Sequence, residues 1–115
     1  MLIEVKERYS GDLPIYVLEN GAAFPDQIEA DDRIRDEPRI AYLRDYLGAV
    51  LDANEAGVPV RGYFVWSLFD NFEWAFGYSR RFGLVHVDFA TLDPRLKDSF
   101  HFYAELANGV PLERE

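Results

Sequence analysis

The sequence predicts an α/β protein built from strand–helix units, and three stretches lead to this prediction. Residues 15–18 and 63–66 are runs of apolar, mostly β-branched or aromatic side chains. Such uninterrupted runs are typical of strands that are covered on both faces, as in a parallel sheet. Between them, residues 37–56 carry apolar side chains at helical spacing. The chain therefore has room for about two βα units.

The first half of the chain contains clear start and stop signals for these elements. Residues 1–10 are predicted to be the end of a helix, which Gly11 terminates. Residues 22–37 are polar and acidic, and we expect a solvated surface loop. The next helix begins at Asp36-Glu37-Pro38 and stops before Gly57. Its inner face is predicted to consist of Ile40, Leu43, Leu47, Val50, Leu51 and Asn54, with Arg39 and Arg44 lying elsewhere.

The second half is predicted to run from a strand at 61–66 through a long loop at 67–83. Loops of this length in compact domains tend to be functional. A short extended segment at 84–87 and a last helix at 94–107 follow, and the helix is expected to turn Phe100, Tyr103, Leu106 and Ala107 inward. We assign four aromatic residues of this half to the core: Tyr63, Phe64, Phe69 and Phe72.

Composition excludes several classes of function. The 115 residues carry a formal net charge of −9, which disfavours nucleic acid as a partner. No run of about 18 apolar residues is present, so we expect no membrane span. The absence of cysteine excludes disulfides and thiolate metal sites and fits a cytoplasmic protein. His86 and His101 have no acidic ligands at metal spacing, so we expect structural histidines and no metal.

Two glutamates are candidates for chemistry. Glu19 directly follows an apolar strand, and Asn20-Gly21 after it could form a hairpin turn. The residues that follow do not supply a returning strand, so we place Glu19 at the mouth of a strand instead. Glu73 lies in the loop at 67–83 between Trp66 and Trp74 and is the apparent partner of Glu19. Asp70-Asn71 could brace the same loop through hydrogen bonds from side chain to backbone.

Four segments together resemble glycoside hydrolase family 1, the β-glucosidase family. They are residues 15–21, 62–67, 70–74 and 77–85, with the sequences IYVLENG, GYFVWS, DNFEW and GYSRRFGLV. Leu18 departs from the family pattern, which usually has Thr at that position. The resemblance implies a (β/α)8 TIM barrel, which needs about 200 to 250 residues or more. Residues 1–115 would then be a single partial domain, the C-terminal portion with the last two βα units.

The resemblance also implies a role for each site residue. Glu19 matches the nucleophile of a retaining β-glycosidase, whose two carboxylates lie about 5 to 5.5 Å apart. Glu73 matches a residue that accepts hydrogen bonds from glycone hydroxyls, rather than the second catalytic carboxylate. Trp66, Trp74 and Phe82 match aromatic walls of the sugar subsite. The acid/base glutamate of the family belongs to an Asn-Glu-Pro motif, and no such triplet occurs here.

We therefore expect half of a catalytic pair that acts on β-glucosides without a cofactor. The expected partners are the sugar substrate and the remainder of the barrel, and the chain alone is predicted to be inactive. Two alternatives remain at this point: a carbohydrate-binding protein without hydrolysis, and a piece that merely completes a barrel. Glu19 favours the enzyme, because sugar binding alone does not require an ionised carboxylate beneath the anomeric carbon.

Overall fold

A computed structural model of the chain describes residues 1–114. It contains, in order, helix α1 (Leu2–Val5) with a π-helical extension (Lys6–Ser10), strand β1 (Ile15–Asn20), helix α2 (Glu37–Glu55), strand β2 (Val60–Val65), a 3-10 turn (Trp74–Phe76), strands β3 (Val85–Val87) and β4 (Pro94–Leu96), and helix α3 (Asp98–Ala107). The α/β class predicted from sequence is confirmed.

Strand β1, helix α2 and strand β2 form a βαβ unit, with the two strands paired in parallel. Helix α2 has a proline in its first turn and ends just before Gly57, whose φ of 89° lies in the left-handed region that glycine favours. The predicted limits of this helix are confirmed. Strand β1 is longer than expected, because it continues through Glu19 and Asn20.

The core lies between the sheet and α2. Ala53, Val58 and Val60 form its buried centre, and Leu43, on the same helix, is fully buried. Ile15 and Val17 of β1 and Val50 of α2 pack against the cluster of Ala53, Val58 and Val60, and burial of these apolar side chains stabilises the unit. Helix α3 packs beside α2, and the Tyr103 hydroxyl donates a hydrogen bond of 3.0 Å to the Tyr63 carbonyl of β2.

No helix or strand of residues 1–114 covers the opposite face of the sheet. Tyr16, Leu18 and Phe64 are 56%, 74% and 56% exposed. A Cβ atom added to Gly62 would lie 2.6 Å from the ring of Tyr16 and 3.6 Å from the ring of Phe64, so these two side chains share one face. We call Tyr16, Leu18 and Phe64 the open face. The helices pack on the other side of this two-stranded sheet, so they cannot cover the open face.

The prediction that Phe64, Phe69 and Phe72 are core residues is therefore wrong for this chain. Each is at least half exposed, and only Tyr63 is partly buried. The sequence pattern indicated burial because aromatic runs usually lie inside proteins. Within residues 1–114, no helix or strand covers the face or the loop on which these three rings lie.

The prediction for residues 94–107 is wrong in its first turn. Pro94–Leu96 forms β4, which pairs antiparallel with β3, and α3 begins only at Asp98. Pro94 can occupy an edge strand because its missing N–H is not needed there. The hairpin places Lys97 directly before α3, with its side chain fully buried.

The loop at residues 21–36 is only partly the solvated connection that we expected. Half of its residues are exposed, but Ile34 and the side chains of Asp26 and Asp36 are buried. Arg39, which we placed on the outer surface of α2, is only 2% exposed. Charged residues are rarely buried unless they are paired. These side chains are paired with one another, as described below.

Candidate active site

Glu19 is exposed at the carboxyl end of β1, and an irregularity in the strand places it there. Val17 pairs with Tyr63 and Asn20 pairs with Val65, so β1 has one residue more than β2 over this interval. Leu18 and Glu19 are both exposed, whereas Val17 and Asn20 are half-buried on the side of α2. A bulge of this kind redirects a side chain. Without it, strand alternation would turn Glu19 toward the face of Val17.

The ends of β1 and β2 are held tightly together. The Trp66 N–H donates to the Asn20 carbonyl over 2.8 Å, and the Tyr63 hydroxyl donates to Asn20 Oδ1 over 2.6 Å. A Cβ atom on Gly21 would lie 1.8 Å from the Trp66 carbonyl oxygen. The glycine of the Glu19-Asn20-Gly21 motif is therefore required by close approach of the backbones. Glu19 and Trp66 consequently lie at neighbouring strand ends.

The loop after β2 carries the other predicted site residues. The Ser67 N–H donates to the Phe82 carbonyl over 3.1 Å, so the two ends of the loop meet beside Trp66. Glu73 precedes the 3-10 turn, and its N–H donates to the Gly77 carbonyl over 2.7 Å. Glu73 and Phe82 are partly buried, whereas Trp74 is 86% exposed. The loop thus presents an indole and a carboxylate near its tip and an aromatic ring at its base.

Among residues 1–114, no side chain hydrogen-bonds to the carboxylate of Glu19 or Glu73. The structure brings Glu19 beside Trp66 and brings Phe82 beside Ser67, through the backbone bonds just described. Glu73 and Trp74 lie farther along the same loop.

Six charged side chains lie behind this loop, in a set that the sequence did not reveal. They are three acids and three bases, which we call the charge cluster: Asp26, Asp36, Arg39, Asp70, Arg81 and Lys97. All are buried except Arg81, whose side chain is 22% exposed. Their formal charges balance, which is the condition under which buried ions are tolerated.

Lys97 has an acceptor for each of its three N–H groups. It donates to Asp26 over 2.6 Å, to Asp70 over 3.0 Å and to the Gly83 carbonyl over 2.6 Å. An ammonium has three donors and no acceptor, so this site satisfies it completely. Lys97 therefore contacts the loop after β1 through Asp26 and the loop after β2 through Asp70 and Gly83.

Asp70 is the acceptor that organises the base of the loop after β2. It accepts from Arg81 over 2.6 Å and from the Gly83 N–H over 2.9 Å, in addition to Lys97. Burial by itself would raise the pKa of Asp70, but these cations and the backbone N–H hold the pKa below its ordinary value. The prediction that Asp70 braces this loop is confirmed. Asn71 also donates to the Ser67 hydroxyl over 3.1 Å.

Arg39 joins the amino end of α2 to both loops. Its guanidinium binds Asp26 through two hydrogen bonds of 2.9 and 2.8 Å, contacts Asp36, and donates to the Arg81 carbonyl over 2.8 Å. Burial alone would lower the pKa of Arg39, but Asp26 and Asp36 raise it, so the guanidinium stays charged. A fork of five donors suits such a junction better than an ammonium.

Asp36 also accepts from the Ser99 N–H over 2.9 Å, at the start of α3. The only sequence signal for the charge cluster was the number of aspartates in the loop at residues 21–36. That signal also fits an ordinary solvated loop.

The two histidines differ in their surroundings. His86 is buried in β3, and burial, followed by the nearby Arg81, lowers its pKa. His101 is exposed on α3 and packs edge-on against Phe100. Within the described part of the chain, no cluster of three or more His, Asp or Glu side chains is placed to hold a metal ion. None of the helices in residues 1–114 is long and apolar enough to cross a membrane.

Comparison with known families identifies the family of the chain. The sequence profile described as "Glycosyl hydrolase family 1" matches residues 1–110. The chain belongs to glycosyl hydrolase family 1. The family resemblance seen in the sequence is therefore confirmed, and with it the assignment to an enzyme family of glycoside hydrolases.

Similar proteins of the family are β-glycosidases. The chain is 48% identical over 113 residues to "Beta-glucosidase A" of Thermotoga maritima, and the matched region covers 98% of this chain and 25% of that protein. It is 50% identical over 106 residues to a "Bifunctional beta-D-glucosidase/beta-D-fucosidase" of Bifidobacterium breve, over 89% of this chain and 23% of that protein. The chain therefore spans about a quarter of the length of these relatives.

A solved structure gives the same result for the fold. The Thermotoga maritima β-glucosidase in complex with castanospermine superimposes with a TM-score of 0.93 at 48% identity, over 98% of this chain and 26% of that one. A match of this quality at this identity shows that the βαβ unit, the loops and α3 have the arrangement found in a family member.

Proposed function

We propose that this chain supplies the last two βα units of a (β/α)8 barrel and carries Glu19, the nucleophile of a retaining β-glycosidase. Parallel pairing of β1 and β2 supports this position, because the strands of such a barrel are parallel. Active sites of these barrels lie at the carboxyl ends of the strands, where Glu19 lies in β1. The observation that carries the proposal is the bulge in β1. It turns Glu19 to the open face, beside Trp66 at the neighbouring strand end.

The proposed reaction is a double displacement at the anomeric carbon of a β-glucoside or a related sugar. Ionised Glu19 attacks that carbon and forms a glycosyl ester, while the bond to the leaving oxygen breaks. A second carboxylic acid gives its proton to the leaving oxygen. In the family this acid belongs to an Asn-Glu-Pro motif, which would come from the remainder of the barrel. Water then hydrolyses the ester and releases Glu19.

The loop after β2 would bind the glycone. Glu73 offers two oxygens to sugar hydroxyls, and the indoles of Trp66 and Trp74 offer apolar faces to the C–H groups of the ring. Phe82 would add a further wall at the base of the loop. No cofactor takes part, because the two carboxylates carry the chemistry. A cytoplasmic location stays a prediction from the absence of cysteine.

The proposal is tested in an assembled barrel, in which this chain replaces the matching quarter of the Thermotoga β-glucosidase. We expect hydrolysis of an aryl glucoside, near-complete loss in Glu19→Ala, and partial recovery on addition of azide, which fits the vacated space. A slow covalent glycoside inhibitor should label Glu19 and not Glu73, as read by mass spectrometry. Near-normal activity of Glu19→Ala, or a label on Glu73, would refute the assignment.

A further inference from the structure

The charge cluster connects the two loops that border the candidate site. Asp26 lies seven residues after Glu19, on the loop that leaves β1, and Asp70, Arg81 and Gly83 belong to the loop that carries Glu73 and Phe82. The Phe24 N–H also donates to the Arg81 carbonyl over 3.3 Å. In the charge cluster, Lys97 has acceptors in both loops and is 0% exposed.

We propose that Lys97 is a positioning residue, which fixes the loop carrying Glu73, Trp74 and Phe82 relative to the loop that follows Glu19. This inference rests on the proposed function for the meaning of that geometry. The three hydrogen bonds of the Lys97 ammonium go to Asp26, Asp70 and the Gly83 carbonyl, so Lys97 acts through these groups and not through Glu19 or Glu73.

Three observations support a positioning role rather than a general contribution to folding. The backbone N–H of Lys97 donates to the Leu84 carbonyl over 3.1 Å, so the residue is anchored beside the end of the loop. A Cβ on Gly83 would lie 2.3 Å from the Asp70 nitrogen, so this junction is packed to contact. The buried apolar cluster of Ala53, Val58 and Val60 lies elsewhere and involves none of the charge cluster.

Local order of the loop can be measured without any reference to sugar chemistry. Hydrogen exchange in the full 115-residue chain reports the amides of Ser67, Asp70 and Leu84, whose hydrogen bonds close the loop, and the amides of α2 as an internal reference. In Lys97→Met we expect the loop amides to exchange at least about tenfold faster, with a much smaller change in α2. An equal increase in both regions, or no increase, would overturn the proposal.

A second variant separates the bridge from the balance of charge. Lys97→Met leaves one uncompensated negative charge in the charge cluster, and Lys97→Met with Asp26→Asn restores neutrality without restoring the bridge. We expect the double variant to recover thermal stability while its loop amides stay fast. Recovery of slow exchange in the loop would show that charge balance alone orders it, and the bridging role would be wrong.

Kinetics in the assembled barrel gives the functional consequence. Lys97→Met should lower kcat/KM for an aryl glucoside by about tenfold or more, and it should lower it less for an analogue that lacks the hydroxyls expected at Glu73. Equal losses on both substrates would overturn the link to the sugar-binding loop. If the unsubstituted barrel is inactive, the proposed function fails, whereas the exchange experiment still decides whether Lys97 orders the loop.

Discussion

The two sides of the sheet's carboxyl end differ in what this chain provides for them. On the open face, Tyr16, Leu18 and Phe64 lie exposed, although their side chains are those of a core. Behind the loops, the charge cluster is complete: every one of its charges has a partner within residues 1–114. Long-range charge pairing is thus satisfied within the chain, whereas apolar burial is not.

The difference shows which interactions need the rest of a barrel. Apolar burial on the open face requires side chains from several strands at once, and within residues 1–114 the parallel sheet has only two strands. The charge cluster requires only two loops and the amino ends of two helices. Support for the loops of the candidate site therefore comes from within this chain, while the wall opposite them would come from the remainder of the barrel.

The largest effect is expected when the self-sufficient region is broken. Arg39→Met removes a cation that is 2% exposed and leaves Asp26 and Asp36 short of a partner. Loss of one member of a buried ion pair typically costs about 3 to 5 kcal/mol of the free energy of unfolding. Urea denaturation of the variant measures this loss.

The matched control for Arg39→Met is Arg61→Met, which changes an exposed arginine of β2 to the same residue. We expect a change within about 0.5 kcal/mol. Similar losses in the two variants would contradict the view that the charge cluster is an essential support.

A smaller loss is expected at the junction of the two regions. Gly21→Ala would place a Cβ 1.8 Å from the Trp66 carbonyl, which is backbone and cannot move away freely. We expect a cost of about 1 to 3 kcal/mol, typical of overpacking, together with reduced activity of an assembled barrel. Thermal denaturation and kcat/KM measure the two effects.

The control for Gly21→Ala is a second glycine, at which an added Cβ would meet no close atom. A Cβ on Gly48, within α2, would meet only the Arg114 Nε atom at 3.8 Å. Gly48→Ala should therefore be neutral or stabilising by up to about 1 kcal/mol, because alanine favours a helix. A stable, active Gly21→Ala variant would show that the strand ends can separate without harm to Glu19.

The sequence predicted the elements well where local signals decide them. Helix α2 has a proline at its start and a glycine after its end, and both limits were found. The bulge before Glu19 has no such signal, because Leu18 and Glu19 look like any continuation of a strand. The position of Glu19 near the carboxyl end of this strand was therefore predictable, but the direction of its side chain was not.

The charge cluster was missed for a different reason. Lys97 lies 61 residues after Asp36 in the sequence, and charge is normally a sign of exposure. Only the path of the chain brings these side chains together. The error at Pro94 has the same origin, since β4 forms by pairing with β3 and not from its own preferences.

A moderate effect of pH is expected from His86. Its folded-state pKa lies below the ordinary value of 6.5, mainly because the imidazole is buried and also because the positive charge of Arg81 is nearby. As pH falls below about 6.5, the unfolded chain takes up this proton first, so the free energy of unfolding decreases. Each unit of pKa difference contributes at most about 1.4 kcal/mol. Asp70, whose pKa is also lowered, begins to lose its contribution only at lower pH, below about 3.8.

Unfolding measured between pH 7 and pH 5 separates these groups. His86→Gln should flatten the slope in that range, whereas His101→Gln, an exposed change on α3, should leave it intact. The same slope in His86→Gln would mean that another group controls stability there. Below about pH 3.8, the two variants and the unsubstituted protein should all lose stability, because the unfolded chain takes up a proton at Asp70 before the folded chain does.

The smallest effect on unfolding, and the largest on association, is expected on the open face. Leu18 is 74% exposed, so Leu18→Ser should change the free energy of unfolding of this chain by no more than about 0.5 kcal/mol. The unpaired edges of β1 and β2 and the apolar side chains between them favour self-association. Leu18→Ser combined with Phe64→Ser should therefore reduce light scattering and the binding of a dye for apolar surfaces.

Leu92→Ser, at a residue that is 73% exposed on the β3–β4 hairpin, is the control and should change neither. A compact monomer that binds no dye before substitution, and that hydrolyses an aryl glucoside by itself, would contradict the incomplete side of the comparison.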